Sequence, residues 1–239
     1  MAETAHALAL NLLQRMGEVI SGDILRLLHS VTFAVWLTAG VATFVVTAAI
    51  KNAALPFPTR QARTRGSRYL QILPRICFAL ILPLGLELTR LGNIYPLDPE
   101  LRIGFWIGAT FWLVVLLLRL RYETGGLEKT VGYAEIAFQA LAGMGFVVYG
   151  LNSLATGAPI DDSWFAAKLF LVGVALWTLI AIDLNFRSLA WPLEEIELDG
   201  SAPENEEALR RGVDHTLASM VILYMLVAAT GFLGGGMVR

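Results

Sequence analysis

The sequence predicts an all-α fold, a polytopic membrane helix bundle of about six transmembrane helices plus an N-terminal amphipathic interfacial helix. Three observations predict it. Of 239 residues, 56% are hydrophobic and only 16% are charged, where a soluble domain carries about 25% charged residues. The mean hydropathy is +0.62. The apolar residues gather into runs of the length needed to cross hydrocarbon, about 20 residues per helix. One membrane domain over 1–239 follows.

The elements follow in chain order. Residues 1–20 form the interfacial helix, with an apolar and a polar face. The stretch "MAETAHALALNLLQRMGEVISG" lacks the order of a cleavable signal, a basic start and then a small-residue site, so it is expected to stay in the mature chain. Transmembrane spans are expected at 24–50, 69–91, 102–121, 130–152, 164–186 and 212–234. The second span carries Pro74, Arg75 and Pro83 and is expected to kink without breaking. Asp98 caps the third span with Pro99 in its first turn, and Gly125-Gly126 closes it. Ser201 with Glu204 forms a capping box ahead of the sixth.

Orientation follows from the basic residues. Lys51, Arg60, Arg63, Arg65 and Arg68 crowd the 51–68 connection. Arg119, Arg121 and Lys129 flank the next connection on that side, and Arg187, Arg210 and Arg211 the third. Placing these three connections in the cytoplasm makes the chain a multi-pass protein of the bacterial cytoplasmic (inner) membrane, with both termini periplasmic. The 187–211 connection is then an acidic cytoplasmic loop. Its acids Glu194, Glu195, Glu197, Asp199, Glu204, Glu206 and Glu207 read either as a solvated run or as a docking site for a basic partner at 194–207.

Several function classes drop out. A net charge of −2 gives no field for nucleic acid. A single cysteine, Cys77, excludes an internal disulfide and a cysteine metal cluster. Phosphate-loop, HExxH, GxSxG and CxxC signatures are absent from the sequence.

What remains is polar chemistry in an apolar solvent, where each charge needs a reason. His29, Glu87 and Lys168 fall towards the outside. Arg75, Glu135, Asp183 and His215 fall towards the cytoplasm and, with Gln139, form the expected buried polar network. At 100° per residue Gly132, Glu135, Gln139, Gly143, Phe146 and Gly150 share one face of the fourth span. Such small-residue faces suit either packing within the bundle or a homo- or hetero-oligomer. Glu135 and Arg75 lie at similar depth and are expected to pair. On the first span His29, Phe33, Trp36, Gly40, Thr43 and Thr47 share a face, so His29 points into the bundle. There it donates to a carbonyl, pairs with Glu87, or ligates a metal or haem iron. His29 and His215 lie near opposite membrane faces, which separates them too far to share one haem.

"LRLLHSVTFAVWLTAG" resembles the first helix of small membrane families related to the copper-resistance D proteins and the HemJ-type protoporphyrinogen oxidases. "WFAAKLFLVGVALW" is similar to their lysine–leucine helix. The resemblance implies haem b as cofactor, with His29 as haem or metal ligand and Lys168 as partner of a propionate or anionic substrate. Glu87 would hold the other imidazole nitrogen. Segments 102–152 add two helices that the four-helix members lack. Three functions follow as expectations: a haem-binding redox-type inner-membrane protein (a membrane oxidoreductase or oxidoreductase subunit), an accessory subunit of a larger membrane complex, or a proton- or ion-coupled transporter using Glu135, Arg75 and Asp183.

Overall fold

The computed structural model describes the backbone of residues 2–92, 95, 98–122 and 126–235, and side chains within those ranges from residue 22 to residue 233. All regular structure among the described residues is helical: α1 (Ala2–Ala48), a 3-10 turn (Ala49–Lys51), α2 (Phe57–Leu70), α3 (Ile72–Leu91), α4 (Pro99–Arg121), α5 (Gly126–Thr156), α6 (Ser163–Arg187), α7 (Ala190–Asp199) and α8 (Pro203–Gly235). Six segments among the described residues are long and apolar enough to cross a membrane, at Gly22–Lys51, Phe57–Leu91, Pro99–Arg121, Gly126–Thr156, Ser163–Asp199 and Pro203–Leu233. Each contains most of one expected span. The protein is an all-α polytopic bundle whose apolar helix faces contact the lipid bilayer.

The boundaries differ from expectation in ways that local chemistry explains. Helix α1 runs unbroken through residues 20–24, because one glycine, Gly22, costs only about 1 kcal/mol in a helix. The amphipathic side chains expected over 3–19 lie outside the described residues. The kink expected in the second span is a break between α2 and α3 at Gln71. Pro74 has no N–H for the carbonyl of Leu70 and its ring crowds that oxygen, whereas Pro83 sits inside a continuous α3. The 51–68 connection is not a loop: Arg-rich α2 fills most of it. Asp98 does cap α4, its Oδ1 accepting from the Glu100 amide at 3.0 Å. Gly126 does not close α4, which ends at Arg121; it opens α5, and Gly125 lies outside the described residues. Ser201 does not box with Glu204. Pro203 takes the first position of α8, and the Ser201 hydroxyl hydrogen-bonds Glu206 instead.

The chain divides into two compact units, residues 1–40 with 72–117 and residues 41–71 with 118–239. The first packs Trp36 and Ala39 of α1, the α3 side chains Cys77, Phe78 and Leu84, and the α4 side chains Trp112, Val115 and Leu116 out of solvent. Phe78 and Trp112 meet edge to face, 6.2 Å between centroids, the arrangement ring quadrupoles favour.

The second unit is built on the α5–α6 contact. Helix α5 presents Gly143 and Gly150 seven residues apart, and α6 presents Ala166 and Gly173 at the same interval. The backbones touch: a Cβ at Gly173 would lie 2.7 Å from the Gly143 carbonyl oxygen and 2.8 Å from the Val147 nitrogen. A Cβ at Gly150 would lie 2.7 Å from the Phe170 nitrogen. In a bilayer, where apolar side chains gain nothing by leaving lipid, such close approach is what holds helices together. The small-residue face of α5 is thus filled by α6 of the same chain. Helix α8 joins on the other side, where the Asn185 amide donates to the Ser219 hydroxyl at 3.0 Å.

At the α7 end of this unit lies a further apolar cluster of Ile50, Phe186, Leu189, Leu193, Ile196, Leu209 and Val213. Its edges are ionic. Arg60, 1% exposed, grips Glu206 with both terminal nitrogens at 2.7 Å and donates Nε to the Ile50 carbonyl at 3.0 Å. Arg63 reaches the Ala49 carbonyl at 3.3 Å. These arginines complete the last carbonyls of the first span, where a helix end is negative. Lys51 pairs with Asp214 at 2.5 Å.

The α5–α6 geometry makes a prediction. Gly173→Ala drives a methyl into backbone that cannot yield, so it should lower thermal stability in detergent by roughly 1–3 kcal/mol, the usual cost of overpacking. Gly145→Ala meets nothing within 4 Å and should be neutral or slightly stabilising.

Candidate functional site: a buried charge network

Three residues expected in a buried polar network, Glu135, Gln139 and Asp183, come together in the second unit. Two arginines that sequence reasoning treated only as topology markers complete it. Arg119, in the last turn of α4, forks between two helices: Nη1 meets Glu135 Oε2 of α5 and Nη2 meets Asp183 Oδ1 of α6, each at 2.5 Å. Gln139 Nε2 donates to Glu135 Oε1 at 3.1 Å. Arg187 covers the remaining oxygen, its Nε and Nη2 lying 3.0 and 2.9 Å from Asp183 Oδ2. Its guanidinium also lies over the Tyr133 ring, 5.7 Å from the centroid.

The local sequence explains why these groups meet. Glu135 and Gln139 are one turn apart on the buried stripe of α5, and Asp183 and Arg187 one turn apart on α6. Gly132, on the same α5 stripe, leaves room for Arg187; a Cβ there would lie 2.6 Å from Nη2. Glu135 and Gln139 are each 1% exposed and Asp183 3%. All four carboxylate oxygens of Glu135 and Asp183 thus receive a donor. Among the described residues Gln139 Oε1 is buried without a partner, so the amide satisfies Glu135 and leaves its own acceptor unmet. Removing one partner of such an ion pair leaves an uncompensated buried charge.

Arg75 is buried in α3, within the first unit. Lys168 is half-buried on α6, in the second. His215 is a correction. It is exposed rather than buried, because the inward stripe of α8 is set by Leu209, Val213, Thr216 and Met220. At 100° per residue the histidine falls roughly 130° from the centre of that stripe. Its backbone carbonyl accepts from the Ser219 hydroxyl at 3.0 Å and from the Asn185 amide at 3.4 Å.

His29 is partly buried on α1, on a stripe whose Trp36, Gly40, Thr43 and Thr47 are buried as expected. Phe33, expected on that face, is 36% exposed. The imidazole packs over Gly85 of α3, where a Cβ would lie 3.4 Å from Cε1. Glu87 is two residues further on, hence about 200° around the helix. Its carboxylate faces the other way, held by Arg90 at 2.9 Å and by Arg102 at 3.5 Å. The expected support of His29 by Glu87 is therefore corrected: the carboxylate is turned away from the imidazole and engaged by arginines. Among the described residues no group of three His, Cys, Asp or Glu is placed to hold a metal.

The network makes its own prediction. Arg119→Gln leaves two buried carboxylates short of a counter-charge and should destabilise the protein by about 3–5 kcal/mol. Combining it with Glu135→Gln should cost less than the sum of the two single changes, since both remove the same pair. Thermal denaturation in detergent reads both, and strict additivity would contradict the pairing.

No protein-family model, no curated protein and no solved structure matches this chain. The functional reading therefore rests on the geometry above.

Proposed function

We propose that this protein is an accessory, non-catalytic subunit of a larger membrane complex, and that it docks a basic partner segment on the exposed face of α7. The observation that carries this reading is the build of α7. Pro192, Leu193 and Ile196 are buried in the apolar cluster, which fixes the helix. Glu194, Glu197, Leu198 and Asp199 are exposed, as is Trp191 at its start. Glu206 is spent on Arg60, so the exposed acids are not answered by that arginine. Leu198 is 74% exposed and Trp191 59%, large apolar groups set among carboxylates. A basic amphipathic helix is the partner such a surface complements, with charge guiding encounter and the apolar groups supplying anchors.

The charge network supports the same reading from inside the membrane. Its ion pairs tie the end of α4 at Arg119 to α5 and α6, which is a scaffold's use of buried charge. The arginine-rich connections support a cytoplasmic position for α7 beside a bacterial inner membrane, with both termini periplasmic.

A photo-crosslinker at Leu198 in native membranes tests the reading. The expected result is a cross-link to a basic segment of a partner, reduced several-fold by Glu194→Lys with Glu197→Lys and by high salt, which screens exposed charge. Three results would overturn it. Absence of any cross-link removes the docking face. A Soret band in the purified protein that His29→Ala abolishes makes it a haem-binding redox protein. Proton flux in proteoliposomes that Glu135→Gln abolishes makes it a transporter.

A further inference from the structure

The first unit holds a cleft of about 750 Å³ lined by Glu87 of α3 and by Arg102, Ile103, Trp106, Ile107, Thr110 and Phe111 of α4. We propose that it binds one phospholipid with an anionic headgroup, the phosphate held at Arg102 and an acyl chain laid along α4. The inference is independent of the docking face on α7.

Charge selects the headgroup. Two guanidiniums, Arg90 and Arg102, flank the carboxylate of Glu87, the one acid among the residues that line the cleft. Arg90 takes the close contact at 2.9 Å, while Arg102 stands off at 3.5 Å. A charge-assisted N–H···O bond is ordinarily about 2.7–2.9 Å, so Arg102 is held near the carboxylate without being consumed by it. Among the described residues its two Nη groups have no partner, and they offer the fork that phosphate oxygens accept.

Length selects the rest of the molecule. From Arg102 to Phe111 the wall rises nine residues, about 14 Å of helix. That is close to half of a hydrocarbon core about 30 Å thick, so the wall is one leaflet deep with its charge at one end. Ile103, Ile107 and Phe111 are exposed along it. Thr110 adds no polarity, because its hydroxyl donates to the Trp106 carbonyl at 2.8 Å. Trp106 sits one turn below Arg102, the depth at which an indole bridges headgroup and chain. A free phosphate would use the arginine and leave this apolar wall unused.

The test places the wild-type protein in nanodiscs of equimolar phosphatidylcholine and phosphatidylglycerol, extracts it into detergent, and counts retained lipids by native mass spectrometry. Phosphatidylglycerol should be the enriched lipid. Arg102→Gln should lower its retention about tenfold, the size of one charge-assisted hydrogen bond, and Arg102→Lys should keep most of it. Ile107→Trp fills the wall and should reduce both lipids together. Equal retention of the two lipids by the wild type would overturn the proposal, as would unchanged retention in Arg102→Gln. Displacement of the lipid by glycerophosphate alone would show that the acyl wall contributes nothing, which also overturns it. If Arg102→Gln fails to insert, the wild-type competition and Ile107→Trp still decide the matter.

Discussion

An arginine within reach of the hydrocarbon has to have its charge answered, and the way Arg119 is answered sets the geometry of the second unit. Its planar guanidinium spans a carboxylate on α5 and a carboxylate on α6. A fork of fixed shape accepts two such partners only when both helices present them at the right rotation. That rotation decides more than the ion pairs. Gly132, Glu135, Gln139, Gly143 and Gly150 occupy one buried stripe of α5, so turning Glu135 towards Arg119 also turns Gly143 and Gly150 towards α6. The polar contact and the close backbone approach are one constraint expressed at two depths. A shift of the stripe by one residue would place Glu135 against lipid and side chains between the backbones.

The same economy governs the α7 end. Basic residues between the first two spans orient a membrane protein, because such residues resist translocation. Here they also build structure. Arg60 and Arg63 complete the carbonyls where the first span ends, and Arg60 carries that contact on to Glu206 in the first turns of α8. An acidic segment that would repel itself if extended becomes ordered, since one carboxylate is drawn inward while Leu193 and Ile196 bury the other face of α7. Four acids on α7 and α8, at 194, 197, 199 and 204, are left on the surface.

In the first unit the two faces of α3 are kept apart by helical arithmetic. Gly85 receives the imidazole of His29, and Glu87, most of a half-turn away, faces the arginines of α4. Adjacency in sequence therefore separates these polar groups, where one turn on α5 and on α6 joins theirs. The consequence is a packed histidine on one side of the helix and an amphiphilic cleft on the other.

Much of the architecture was legible in the amino-acid sequence. Apolar run length alone determines the six spans, because the thickness of hydrocarbon is fixed and a helix is the only element that satisfies its own backbone there. Periodicity determined which face of α5 is buried, and Asp98 before Pro99 determined where α4 starts. The i, i+4 spacing of Asp183 and Arg187 was equally open to reading. Packing decided what local pattern does not encode. Nothing near Glu135 in sequence names Arg119, which lies 16 residues away across a connection, and nothing in the acidic segment names Arg60, 146 residues from Glu206. The exposure of His215 and the turning away of Glu87 from His29 are likewise matters of helix rotation, set by neighbouring side chains. Hydropathy reports whether a residue lies in the membrane. Which partner it meets there depends on how the helices turn, and only the tertiary structure fixes that.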